Sequence, residues 1–186
     1  MSKIVFLLEE PSMKELLDIL LPQLLPPNVE FMAIPHEGKQ DLEKSIPNKL
    51  RGWREPGVRF IILRDQDGAD CLNLKEKLLS ICREAGRGDS VVRIVCNELE
   101  SWFLGDLTAV AKAYDRPSIS RLQGKRKYRN PDNITNAAEE LKKMVPEYQK
   151  LQGARKIACH ISINRNQSNS FHAFLEGISK VVGIID

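Results

Sequence analysis

Four short apolar runs punctuate the first hundred residues, and amphipathic stretches of helix length separate them. The runs are KIVFLL (3–8), VEFMAI (29–34), VRFIILR (58–64) and VVRIVC (91–96), each predicting a strand. After the first run the period changes. Ser12 can cap a helix whose apolar face carries Leu16, Leu17, Leu20 and Leu21, with Pro22 expected to end it. Residues 38–53 predict one helix or two short ones, since Pro47 interrupts the pattern. Residues 72–86 place Leu74, Leu78, Ile81 and Cys82 on one face and close on Gly86. Residues 98–114 are helical in pattern.

Strands that alternate with helices predict an α/β fold with a mainly parallel sheet of about four strands. Near-continuous apolar stretches such as FIIL and VVRIV fit a sheet covered on both faces. Beyond Tyr114 the pattern changes. Residues 115–132 are polar, basic and broken by prolines, which predicts a loop. Residues 134–145 predict a helix capped near Asn133, and residues 170–182 a closing amphipathic helix with Ser170 near its cap. Residues 154–163 fit two periods: Ala154, Ile157, Ala158 and Ile161 are spaced for a helix, while Ile157, Cys159, Ile161 and Ile163 alternate as in a strand. The helical reading is preferred. The expected organisation is a core over 1–114, a basic loop over 115–133, and a helical C-terminal extension over 134–186 packed on the same domain.

Composition refines this only slightly. A chain of 186 residues with 42% hydrophobic and 28% charged residues suits one soluble domain with a sizeable core. A net charge of +3 does not by itself announce a nucleic-acid partner. The four cysteines, Cys71, Cys82, Cys96 and Cys159, show no CxxC spacing and read as free thiols of a reducing compartment. Neither a signal peptide nor a stretch long enough to span a membrane is recognisable, so a cytoplasmic protein without membrane contact is expected.

The acids change the picture more. In a parallel α/β sheet, ligands bind outside the carboxyl ends of the strands. Glu9 and Glu10 end the first strand, Asp65, Asp67 and Asp70 follow the third, and Glu98 and Glu100 follow the fourth. Asp65 and Asp67, two residues apart, point the same way if the chain stays extended. Clustered carboxylates repel one another unless a cation lies between them, and an all-oxygen set suits Mg²⁺ or Mn²⁺. Glu9, Asp65 and Asp67 are the principal metal candidates, and Glu98 or Glu100 would help hold a second ion. Asp70 reads as a helix cap, and Glu10 as a solvated neighbour. The stretch RLQGKRKYR supplies Arg121, Lys125, Arg126, Lys127 and Arg129, with Tyr128 as a stacking ring, for contact with nucleic acid; a solvated basic loop is the competing reading. Lys39 and Arg64 are further phosphate candidates. His36 reads as a surface histidine, and Trp102 and Phe103 as core.

A glutamate ending the first strand (IVFLLEEPS) with a DxD ending a later one (FIILRDQDGAD) resembles the Toprim fold, a Rossmann-like fold of topoisomerases, primases and nucleases related to the overcoming-lysogenisation-defect enzymes. Nearly the whole chain resembles a bacterial Toprim-like family known as domain of unknown function 4276, through GKQDLE, LRDQDGADC, NELESWFLGD, GARKIA and NSFHAFLEGI. The resemblance implies Glu9 as general acid or base, Asp65 and Asp67 as Mg²⁺ ligands, and Glu100 as a further acidic site residue. Glu10 stands where the common pattern has glycine. The implied function is metal-dependent cleavage of nucleic acid, in bacterial defence and with a partner protein encoded by a neighbouring gene. Two alternatives stand beside it. A phosphoacceptor receiver domain needs a lysine after its last strand, which ACHISIN does not offer. A non-catalytic nucleic-acid- or protein-binding subunit would keep the acids without turnover.

Overall fold

The structure is a computed structural model and describes residues 2–185. β1 (Ser2–Leu8) pairs in parallel with β2 (Val29–Pro35) on one side and with β3 (Arg59–Asp65) on the other. β4 (Val91–Val95) extends the sheet in parallel beyond β3. The order β2-β1-β3-β4 reverses direction between β1 and β3. A crevice opens at such a switch point, at the carboxyl ends of the strands. The register sets Leu8 against Leu63, so Glu9 and Asp65 leave neighbouring strands at one edge. The α/β, parallel-sheet fold is the one the sequence predicts.

Alternation along the strands divides the core into two layers. Ile4, Phe6, Leu8, Ile61 and Leu63 pack with Leu16, Leu17 and Leu20 of α1 (Pro11–Leu24) and with the later helices. Val5, Leu7, Phe60 and Ile62 pack with Leu42, Ile46 and Leu50 of α2 (Lys39–Gly52) and with Leu74, Leu78 and Cys82 of α3 (Cys71–Glu84). The C-terminal helices share the first layer, through Leu141, Ile157 and Phe174. Trp102 lies 5.1 Å from Phe171 and 5.2 Å from Phe174, and Phe174 reaches Phe6 of β1 at 6.3 Å.

Several elements differ from the sequence reading. α1 runs through Pro22 to Leu24. The carbonyl that a helical Pro22 leaves without a partner is that of Asp18, an exposed residue on the solvent side of the helix. α2 likewise continues through Pro47, held on both sides by Ile46 and Leu50. Residues 98–114 divide into α4 (Glu100–Leu104) and α5 (Leu107–Ala113). Asp106 caps α5 by accepting from the Ala109 N–H at 3.1 Å. Gly105 meets Asn166 so closely that a Cβ there would lie 2.2 Å from Asn166 Oδ1. Residues 115–132 are not an irregular loop but three 3₁₀ turns, Pro117–Gly124, Arg126–Tyr128 and Pro131–Asn133, anchored by buried Ile119, Tyr128 and Pro131. Anchors that sparse set no period a sequence can show.

α6 (Ala137–Met144) starts later than Asn133 suggests. Its first turn is capped from a distance: the Glu98 carboxylate accepts from the Ala138 N–H at 2.7 Å. α7 (Lys150–Ala158) begins before the ambiguous stretch and ends within it, so residues 159–163 are neither helix nor strand. α8 (Asn169–Ile185) is capped by Ser168, whose hydroxyl accepts from the Phe171 N–H, and by Asp132, which accepts from the Ser170 N–H at 2.7 Å. Ser170 therefore sits inside the first turn, and its hydroxyl accepts from the Trp102 indole at 2.9 Å.

Candidate functional site

The acids do gather at the carboxyl edge of the sheet, but on two sides of it. Odd positions of β1 face the α2 and α3 layer, and Glu9 continues that side. Its neighbour there is Arg64, 3.7 Å from the Glu9 carboxylate, and Arg64 in turn bonds Glu43 of α2. Odd positions of β3 face the other layer, and Asp65 continues that side, toward Glu10, Glu100 and Lys150. The two sides are stitched by one bond: the Asp65 N–H donates to Glu9 Oε2 at 3.0 Å.

Asp67 does not follow Asp65. The chain turns after β3, and Asp67 adopts a left-handed φ of 51°. A DxD in a continuing strand would present both carboxylates to one point; this turn sends Asp67 to the Glu9 side. There Glu9, Gly38, Lys39 and Asp67 line an open cleft of about 320 Å³, and Lys39 Nζ stands 3.4 Å from Asp67 Oδ2. Gly38 makes the cleft possible: its φ of 103° starts α2, and its N–H donates to the Glu9 carbonyl at 2.9 Å.

The other side is buried. Asp65 is 3% exposed and Glu100 is fully buried. Glu100 accepts from the Tyr148 hydroxyl at 2.9 Å, yet its Oε2 and Asp65 Oδ1 have no hydrogen-bond partner. Burial raises the pKa of Asp65 well above its ordinary value, and Glu10 and Glu9 push it further. Burial also raises Glu100, with Lys150 and Tyr148 opposing it. Glu9 is raised by burial and by Asp67. A cation placed among these groups would oppose each of these shifts.

Lys150, which the sequence did not single out, is the cation at the rim of this group. It opens α7 and reaches back to Glu10 Oε2 at 2.5 Å. Burial works against its charge, but Glu10, Glu100 and Asp65 outweigh burial and raise its pKa. Only the distance in sequence, 140 residues from Glu10, hides it. Tyr148, the partner of Glu100, packs on the same helix: its ring lies against Gly153 of α7, and a Cβ at 153 would come 2.2 Å from that ring. The glycine of GARKIA thus serves the site through Tyr148.

Other expected residues lie elsewhere. Glu98 does not join the acids, because it caps α6. Arg64 is buried and occupied by Glu43 and Glu9, so it is not a free phosphate contact. Asp70 caps α3, accepting from the Asn73 N–H at 2.8 Å. His36 is buried, not on the surface, with Nδ1 2.8 Å from the Leu8 carbonyl. Glu10 is held by Lys150 and Ser12 rather than freely solvated. Arg121, Lys125, Arg126, Lys127 and Arg129 are exposed. Tyr128 is not a stacking ring; it is buried, with its hydroxyl donating to Glu140 at 2.6 Å.

Among the described residues, no group of three or more His, Cys, Asp or Glu side chains converges closely enough to enclose a metal. Mg²⁺ does not require that: it commonly takes one or two protein carboxylates and completes its shell with water and substrate phosphates. The oxygen-only donors and the two unpartnered buried carboxylate atoms fit a hard divalent ion. Among the described residues, no helix is long and apolar enough to cross a membrane.

Comparison with known proteins agrees with this architecture. A family model described as Domain of unknown function (DUF4276) matches residues 8–179. The C-terminal region of the Burkholderia pseudomallei OLD protein is similar in structure, with a TM-score of 0.57 over 99% of this chain and 98% of that one. Their sequences are 14% identical, a level at which the likeness speaks for the fold. No curated protein matches the chain.

Proposed function

The chain belongs to the DUF4276 family, and from that premise we propose that it is a Toprim-like, divalent-metal-dependent phosphodiesterase acting on nucleic acid. One observation carries the reading: two buried carboxylates at the switch-point edge, Asp65 and Glu100, each keep an oxygen without a partner. A purely structural acid in that position would be fully hydrogen-bonded. Fold similarity to a region of the OLD protein supports the same class.

Asp65, with Glu100 on the same side of the edge, would hold the ion, and water and substrate phosphate would fill its remaining positions. Bound there, Mg²⁺ or Mn²⁺ supplies a polarised phosphoryl oxygen and a water acidic enough to attack near neutral pH. Glu9, raised above the usual carboxylate range, is suited to move a proton on the cleft side. Asp67 and Lys39 border that cleft: Asp67 is a second-ion candidate, and Lys39 a contact for the phosphate. Lys150 neutralises the acids and stands where it can turn to an incoming phosphate oxygen.

A binding subunit without turnover is the second reading, favoured by the absence of a closed cluster of three ligands among the described residues. Incubation of labelled single- and double-stranded DNA and RNA with Mn²⁺ separates the two. The enzyme reading expects cleavage that Asp65→Asn reduces by at least about 100-fold, the scale on which one well-placed electrostatic group acts. Retained nucleic-acid affinity with no cleavage under any of these conditions contradicts it.

A further inference from the structure

The basic 3₁₀ segment and α6 enclose a second concavity, of about 440 Å³, apart from the acids. That volume lies within the roughly 300–1,000 Å³ of small-molecule sites. Ile119, Leu122 and Met144 give it an apolar wall, and Lys125 and Lys143 stand at its rim. Glu140 lies in its lining, 5% exposed, and is already satisfied: Tyr128 donates to it at 2.6 Å, Lys127 sits at 2.7 Å and Lys143 at 3.5 Å. Burial opposes its ionisation, but Lys127 and Tyr128 hold its carboxyl below the usual range. Glu140 is therefore a post that fixes Lys143 at the rim and Lys127 beside it, not an acceptor awaiting a ligand. Among the described residues Lys125 has no ion pair, and Arg126 and Arg129 lie exposed beside it.

An accessible apolar wall inside a ring of amines combines the two interactions that hold unpaired nucleotides, contact with a base and neutralisation of the phosphates on either side. A duplex cannot use it, because a stacked base does not enter a cavity. We propose that this concavity takes one base of a single-stranded nucleic acid against Leu122 and Met144, while Lys125 and Lys143 hold the flanking phosphates. The proposal rests on the nucleic-acid reading above and adds where, and in what form, the strand is held.

The test is anisotropy of a fluorescein-labelled 12-nucleotide single strand with the whole chain in EDTA, so that neither metal nor cleavage intervenes. Wild type should bind the strand saturably. Lys125→Ala/Lys143→Ala should bind at least about tenfold more weakly, with a log–log salt slope smaller by about 1.4, since each single-strand phosphate contact contributes about 0.7. An iodouracil-substituted strand should crosslink within residues 119–144. Equal binding and slope in the double variant would overturn the pocket while leaving the nucleic-acid reading intact. No strand binding by wild type would overturn both. AMP or an acidic peptide competing as well as the strand would overturn the single-strand assignment alone.

Discussion

Asp65 is a carboxylate whose burial works against its own charge. Its folded pKa lies above the unfolded one, so the folded state binds the extra proton, and stability is lost as pH rises from the ordinary carboxylate range through the folded value. Without metal, Asp65→Asn should therefore raise the urea midpoint at pH 7.5, by an amount in the range of about 0.5–2 kcal/mol common for relieved functional sites. The gain should shrink toward nothing at about pH 2, well below the ordinary aspartate value of about 3.9, where both states of the wild type carry a neutral acid. A gain that persists unchanged at low pH would mean that packing, not charge, is the cause. Tyr148→Phe acts oppositely. It removes the hydrogen bond to buried Glu100 and leaves both carboxylate oxygens unpartnered, which should cost about 1–3 kcal/mol at neutral pH in equilibrium unfolding.

At the scale of elements, the C-terminal helices matter more than their polarity suggests. α7 delivers Lys150 and, through Gly153, seats Tyr148; α8 presses Phe171 and Phe174 onto Trp102. Gly153→Ala should displace the Tyr148 ring and reduce metal affinity while α7 remains helical by circular dichroism. Phe174→Ala, a truncation at a fully buried position, should destabilise by about 3–5 kcal/mol in urea unfolding. The strands and first helices were legible because their apolar periods are strong and local. Much of the chain beyond Tyr114 was not. The cap of α6 comes from Glu98 and that of α8 partly from Asp132, both remote in sequence. A helix start fixed by a distant side chain leaves no local signal. The same limit applies to the site: Glu9, Asp65 and Glu100 could be placed at one edge from strand endings, whereas the left-handed turn at Asp67 and the return of Lys150 depend on tertiary structure.

The whole molecule is a parallel sheet whose switch point opens between β1 and β3, with a layer of helices on each face and acids reaching the edge from both. Sequestered negative charge of this kind couples metal binding to folding, since an ion that binds only the folded chain stabilises it by about 2.7 kcal/mol at 100 times its dissociation constant. Thermal unfolding should accordingly shift upward with Mn²⁺ in wild type and not in Asp65→Asn. Everything proposed for the acidic edge depends on these carboxylates forming a divalent-cation site, and isothermal titration of Mn²⁺ into wild type and Asp65→Asn decides it. Saturable binding is expected in wild type, abolished or weakened at least about tenfold by Asp65→Asn. Equal binding by the two proteins, or none by wild type even with a single-stranded oligonucleotide present, would contradict the assignment.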